Sequence, residues 1–290
     1  MQVGVLYSRI RQDEKLLLTE LRDRGHDVTK IDVRDERFNI HDPPAAFADL
    51  DLLIDRCLST SRSLYITKFC QAYGVPVVNS AHVAETCADK VKNSLALAEA
   101  GVPTPATEVA FTKESALECI EAFGYPCVLK PVIGSWGRLM AKIDSRSAAE
   151  AILEHKATLG HYEHKIFYIQ EYVEKGGRDI RVLATDGDPI AAMVRSSDHW
   201  LTNAAKGATT EPFGLDDTAR ELVTRASDAV GGGLLGIDLM ESDDGYTVHE
   251  VNHTVEFKAL NATTDVDVPA AVVDWLESQP TSRPEEAMSP

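Results

Sequence analysis

The chain has 290 residues, 44% hydrophobic and 26% charged, with 46 Asp and Glu against 29 Lys and Arg and a formal net charge of -17. Such a length supports two or three lobes with cores of their own, and the acidic balance, with no long basic block to offset it, argues against nonspecific DNA or RNA binding. No stretch approaches the roughly 18 uncharged apolar residues that cross a membrane, and the start MQVGVLYSRI lacks a basic segment followed by an apolar run, so a soluble, cytoplasmic protein is expected. Cys57, Cys70, Cys87, Cys119 and Cys127 are odd in number and lack CxxC spacing, which points to reduced, buried thiols.

The patterning predicts a strand at VGVLYS, an amphipathic helix at LLLTELRDRGH stopped by Gly25, and a strand at DVTKIDV. DLLIDRC, a helix through LYITKFCQAYG and the strand VPVVNS continue the alternation. Residues 1–82 are therefore expected to form a doubly wound α/β domain with a parallel sheet. The dinucleotide fingerprint GxGxxG is missing after the first strand, which weakens a nicotinamide reading. From Val83 one helix, VAETCADKVKNSLALAEAG, is predicted to run to Gly101. VPTPATEVAF follows with its two prolines, and ESALECIEAFG is a helix ended by Gly124. YPCVLKPV and RLMAKID read as strands, SAAEAILEHKATLG as a helix, and KIFYIQEYVE as a long apolar strand. DIRVLATDGDPIAAMVRSS reads as a hairpin turning on Asp186-Gly187, a pair that tolerates positive φ. A helix through DDTARELVTRASDAVG and the strands LLGIDLMES and YTVHEVN complete the pattern. The expected lobes are 83–173 and 174–276, with 277–290 a mobile tail.

Two stretches carry chemistry. In VLKPVIGSWGRLM an apolar strand ends in Lys130, followed by a glycine-bracketed turn holding Gly134, Ser135, Trp136, Gly137 and Arg138. In so acidic a chain this is either a cradle for a polyanion or a plain hairpin turn. HEVNH, residues 249–253, matches the HExxH zinc pattern, which requires a helix. Its β-branched surroundings favour a strand, where His249 and His253 would stand about 13 Å apart at roughly 3.3 Å per residue. Strand alternation instead puts Glu250 and Asn252 on one face and His249, Val251 and His253 on the other. With Asp238 from LLGIDLM, flanked by Leu235, Ile237 and Leu239, the three oxygen ligands suit Mg²⁺. Solvated edge carboxylates are the alternative, and a zinc hydrolase is the remote one.

Taken in order, YSRIRQDE, DRCLSTSRSL, CADKVKNSLALAEAG, VLKPVIGSWGRL, YIQEYVEKGGRDIRV, SSDHWLTNAAKG and DLMES…HEVNHTVEFK resemble the ATP-grasp ligases, in particular the RimK-like branch that contains LysX and ArgX. The resemblance covers nearly everything before the tail. It implies ATP and Mg²⁺ as cofactors, Lys90 and Lys130 on the ATP phosphates, and residues 134–138 as a loop closing over them. It also implies a hinge at Gln170, Glu171, Tyr172 and Val173 that meets the adenine through its backbone. Asp179 and Arg181 fall in the nucleotide segment, with Arg195 and Asn203 near the triphosphate and the reacting carboxylate.

Ligases of this branch attach an amino acid to the C-terminal glutamate of a small acidic carrier protein, LysW. The resemblance suggests a homodimer or homotetramer. Arg9, Arg56 and Arg62 lie in expected loops at strand ends, where α/β sheets place ligands, and are candidates for docking the acidic carrier, with solvated arginines balancing local acids as the alternative. Glu256, Phe257, Lys258, Ala259 and Leu260 correspond to the amino-acid site. Where LysX has an Asn-Ser or Asn-Thr pair after EFK, marking use of α-aminoadipate, this chain has Ala259 and Leu260, so glutamate is the expected substrate, with Leu260 shortening the pocket. α-Aminoadipate, or RimK-type glutamylation of another protein tail, is the alternative.

Overall fold

The structure is a computed structural model that describes residues 1–134, 139–159, 165–200, 202 and 208–281. Strands β1 (Gln2–Tyr7), β2 (Asp27–Asp32), β3 (Leu52–Asp55) and β4 (Val77–Val78) form a parallel sheet in the order β2-β1-β3-β4. Alternate residues face opposite ways. Val3, Val5, Leu52 and Ile54 pack on Leu17, Leu18 and Leu21 of α1 (Gln12–Asp23), while Leu6 and Leu53 pack on Ile66 and Cys70 of α2 (Thr60–Tyr73). Both faces are buried at β1 and β3, which is why those two strands are near-continuous apolar runs, while the edge strand β2 stays largely exposed.

The single helix expected from Val83 is instead two, α3 (Ala81–Ala88) and α4 (Lys90–Glu99). Asp89 between them is extended, at φ -113° and ψ 118°, and its carboxylate caps α4 by accepting from the Val91 and Lys92 N–H groups. An aspartate that satisfies two orphan N–H groups stabilises the new helix start by about 1 kcal/mol.

The next sheet runs β5-β8-β6-β7, from β5 (Thr107–Ala110), β6 (Cys127–Lys130), β7 (Ala141–Ile143) and β8 (Phe167–Glu171), all antiparallel. One face packs through Cys127, Leu129, Phe167 and Ile169 on Ile120 of α5 (Lys113–Phe123) and Leu153 of α6 (Arg146–Leu159). The third sheet, β11-β10-β9-β12-β13, comprises β9 (Arg178–Thr185), β10 (Asp188–Ser196), β11 (Thr209–Pro212), β12 (Leu234–Ser242) and β13 (Gly245–Asn252). The β9-β10 hairpin turns on Asp186 and Gly187, both at positive φ, as the sequence predicts. Ile180, Val182, Leu235, Ile237, Leu239, Val248 and Val251 face α7 (Asp217–Val230), which leaves Asp179, Arg181, Asp238 and Glu250 for the opposite face.

Two helices were not expected from the sequence, α8 (Lys258–Thr263) and α9 (Val268–Glu277). They fold back onto α1 and the first sheet, burying Leu260, Val268, Val272, Val273 and Leu276 in its core. Full burial of each such side chain contributes on the order of 1.5–3 kcal/mol. Residues 282–290, most of the expected tail, lie outside the described residues. Among the described residues no helix is long and apolar enough to cross a membrane.

Candidate active site

A cavity of about 590 Å³ lies between the two antiparallel sheets, lined by Val128, Lys130 and Gln170 on one side and Asp179, Arg181, Arg195, Asp238 and Glu250 on the other. These positions alternate with the core residues on each strand, so the same period that builds the two cores aims the polar set inward.

Lys130 ends β6 and is only 2% exposed. Its Nζ donates to Gln170 Oε1 and lies 3.0 Å from His249 Nε2. Burial, aided by the nearby Lys90 and Lys175 charges and opposed by Glu250, pushes the Lys130 ammonium down to about 7. Burial and the same cations keep His249 neutral, well below its usual range, and its buried Nδ1 has no partner among the described residues.

The break at Asp89 carries Lys90 into the cavity. Its N–H donates to the Val132 carbonyl at 2.9 Å, while its Nζ donates to Glu250 Oε1 at 2.9 Å and to the Gly134 carbonyl at 3.0 Å. Asp238 accepts from Arg181 Nη1 at 2.9 Å and Arg195 Nη2 at 2.8 Å. Burial alone would raise the Asp238 carboxyl, but the two guanidiniums outweigh it and hold the group below the usual carboxylate range. Arg195 also donates through Nε to Asp179 at 2.7 Å, and Asp179 takes Lys175 at 3.2 Å and the Thr202 hydroxyl. A Cβ on Gly236 would stand 2.6 Å from the Arg181 guanidinium carbon, so glycine at this point of β12 is what lets Arg181 cross the strand to Asp238.

The face assignment of His249 is corrected by the structure. A bulge follows Asp238, which pairs with Glu250 while Leu239 pairs with Val248. His249 is the extra residue, and so it shares the cavity with Glu250 and Asn252 instead of taking the opposite face. HEVNH is therefore not a helical zinc motif: His249 and Glu250 lie in β13, and His253 Nε2 is 3.3 Å from the Ser63 hydroxyl. Among the described residues no three His, Cys, Asp or Glu side chains are grouped to hold a metal. Asp238, Glu250 and Asn252 remain a two-carboxylate, one-amide oxygen set on adjacent strands, with Asn252 Nδ2 3.4 Å from Asp238 Oδ2. That set fits a hard divalent cation completed by substrate phosphates, which needs only one or two protein carboxylates.

Gln170, Glu171, Tyr172 and Val173, the expected hinge, all line the cavity, and the Glu171 carboxylate accepts from the Ala106 N–H at 2.7 Å. Ser135, Trp136, Gly137, Arg138 and Asn203 lie outside the described residues. Of the expected amino-acid site, Glu256, Lys258 and Ala259 line the cavity, whereas Phe257 and Leu260 are 0% exposed in the core. Leu260 therefore cannot shorten the pocket by contact. Arg56 is corrected as well. At 1% exposure it pairs with Glu14 at 3.1 Å and stacks over Phe257, a structural role that leaves it no surface for docking. Arg9 and Arg62 are exposed. Sequence reasoning passed over Lys175 and Thr202, and also Arg11, which lines the cavity with its guanidinium joined to Glu14 and Glu256.

Residues 3–86 match the LysX preATP-grasp domain, and residues 87–276 match the RimK-like ATP-grasp domain. The chain belongs to the RimK-like ATP-grasp family. It is similar to the α-aminoadipate–LysW ligase LysX of Saccharolobus solfataricus, 37% identical over 86% of this chain and 90% of that one. It is also similar to the glutamate–LysW ligase ArgX of Sulfurisphaera tokodaii, 32% identical over 96% of this chain and 98% of that one. A RimK domain ATP-grasp protein of Sphaerobacter thermophilus superposes at a TM-score of 0.79 with 25% identity, over 96% of this chain and all of that one. This RimK-like protein is an ATP-dependent carboxylate–amine ligase of the ATP-grasp fold, using ATP with a divalent metal.

Proposed function

We propose that this ligase joins the amino group of an acidic amino acid, glutamate first, to the C-terminal glutamate carboxylate of a LysW-type carrier, as a cytoplasmic homo-oligomeric enzyme of arginine biosynthesis. The observation that carries the reading is the convergence of Lys90, Lys130, Lys175, Arg181 and Arg195 on one cavity that also holds Asp238 and Glu250, inside a chain of net charge -17. A triphosphate is the ligand that rewards so many inward cations in so acidic a protein.

The reaction needs no protein nucleophile. A carrier carboxylate oxygen bonds to the γ-phosphorus of ATP as the bond to ADP breaks, giving an acyl phosphate. The amino nitrogen then bonds to the acyl carbon and inorganic phosphate leaves, with the amine proton passing to solvent. Lys90, Lys130 and Arg195 hold the phosphates and offset charge on the transferred group. Mg²⁺ is the proposed ion, with Asp238, Glu250 and Asn252 to hold it. When bound, it supplies further neutralisation of the phosphoryl oxygens.

Glutamate is preferred in this reading because Ala259, on the cavity wall, offers no hydrogen bond to the distal carboxylate of a longer acid. The 37% and 36% identity to proteins named LysX favours α-aminoadipate as a second reading. Mass spectrometry of a LysW carrier incubated with enzyme, ATP, Mg²⁺ and each amino acid tests both. One added glutamyl residue is expected; a carrier unmodified by either acid would overturn the proposal.

A further inference from the structure

We infer that in the nucleotide-free enzyme Lys90 and Arg195 sit as internal counter-cations on Glu250 and Asp238, so that a divalent cation gains those carboxylates only when nucleotide phosphates draw Lys90 and Arg195 away. The inference rests on the reading of Asp238, Glu250 and Asn252 as the metal set and gives that set an order of loading.

Lys90 Nζ donates to Glu250 Oε1 at 2.9 Å and to the Gly134 carbonyl at 3.0 Å, which uses two of its three donors. Asp238 Oδ1 accepts from Arg181 Nη1 at 2.9 Å and from Arg195 Nη2 at 2.8 Å. One oxygen of each carboxylate is thus already held by a cation of the chain itself. Neither pair is a screened surface contact, since the Lys90 and Arg195 side chains are 9% and 13% exposed.

A hard divalent ion binds a carboxylate oxygen at about 2.1 Å. On Glu250 Oε1 it would therefore stand no more than about 5 Å from the Lys90 nitrogen, and on Asp238 Oδ1 no more than about 5 Å from two guanidinium nitrogens. Charges at such distances change a neighbour's charge equilibrium by about ten- to a thousandfold. Basic side chains also outnumber acidic ones along the cavity, which disfavours a bare cation and favours a polyphosphate. Phosphate oxygens compete with Glu250 and Asp238 for Lys90 and Arg195. Arg195 can turn toward them without leaving the site, because its Nε holds Asp179 Oδ1 at 2.7 Å. Lys90 is likewise anchored through its backbone N–H on the Val132 carbonyl at 2.9 Å. Glu250 Oε1 and Asp238 Oδ1 are then free, and by linkage the cation and the nucleotide raise each other's affinity by the same factor.

Two titrations without carrier or amino acid test this: Mn²⁺ alone, followed by the electron spin resonance of the free ion, and AMP-PNP alone in EDTA, followed by calorimetry. Lys90→Met should tighten Mn²⁺ at least about tenfold and weaken AMP-PNP. Opposite signs are the decisive readout, because a substitution that only loosened the structure would weaken both. Adding Glu250→Gln to Lys90→Met should abolish the gain. Arg195→Gln, an independent reading should Lys90→Met not fold, should tighten Mn²⁺ by less, since Arg181 stays on Asp238. Unchanged or weaker Mn²⁺ binding in either variant that folds overturns the inference. If Glu250→Gln alone still lowers Mn²⁺ affinity in that case, the metal set stands without its order of loading, whereas Mn²⁺ binding blind to Glu250 overturns the metal set as well.

Discussion

Nucleotide binding should draw a proton into the enzyme. Lys130, pushed down to about 7 by burial, is mostly neutral at pH 8 in the free protein, with about a tenth of molecules protonated. Phosphate oxygens placed against its Nζ favour the charged form. If they raise the group to about 9 or above, binding at pH 8 takes up about 0.8–0.9 proton, and at pH 6, where Lys130 is already charged, about 0.1. The sign follows for affinity: Kd for AMP-PNP should rise up to about tenfold per pH unit from pH 7 up to the bound-state value. It follows for stability too, because the unfolded chain holds this proton between about 7 and 10.4 and the folded one does not, so Lys130 makes the free protein more stable as pH rises across that window. Calorimetric titration of AMP-PNP in buffers of different ionisation enthalpy measures the uptake directly, and Lys130→Met should abolish it. Uptake near zero at pH 8, or unchanged uptake in Lys130→Met, would refute the reasoning.

Glu250→Gln should abolish ligation with Tm within a few degrees of wild type, because the side chain keeps its volume and loses the charge a cation needs; near-full activity at saturating Mg²⁺ would remove Glu250 from the metal set. Gly236→Ala places a methyl 2.6 Å from the Arg181 guanidinium carbon and should cost about 1–3 kcal/mol in urea unfolding together with a fall in kcat, whereas a silent substitution would show that Arg181 does not need that passage. Arg56→Ala leaves the buried Glu14 without one of its guanidiniums and should destabilise the fold by about 3–5 kcal/mol. Arg62→Glu, on the exposed start of α2, should raise the carrier KM and leave that of ATP alone; if carrier KM follows only Arg56, the burial argument is wrong.

The strands and helices of the three sheets were largely legible because most have a core partner that imposes its period. Lys130 and Asp238 were legible as cavity residues since each interrupts or ends an apolar run where a strand meets the cavity, and Glu250 followed from strand alternation in HEVNH. What escaped were departures from regular period. The bulge at His249 adds a residue that strict alternation cannot anticipate, and only the pairing with β12 reveals it. The break before Lys90 had a local signal, an aspartate able to cap a new helix, which apolar periodicity outweighed. Gly236 within LLGID was likewise a signal of close approach in a strand, pointing to Arg181. Arg56 sits in the apolar stretch DLLIDRC, so its burial was foreshadowed, but its partner Glu14 is 42 residues away and only the fold brings them together. Leu260 was misplaced because α8 had no periodic run long enough to declare itself, and without the helix the two residues after EFK look equivalent.

The most direct measurement of the central claim is the fate of oxygen in the carrier's terminal carboxylate. With that carboxylate labelled by ¹⁸O, attack on the γ-phosphorus followed by displacement must leave one labelled oxygen in the released phosphate. Mass spectrometry of the phosphate should show a shift of about two mass units per ligation event, tied to the two-step chemistry. Unlabelled phosphate accompanying amide formation would contradict activation through an acyl phosphate.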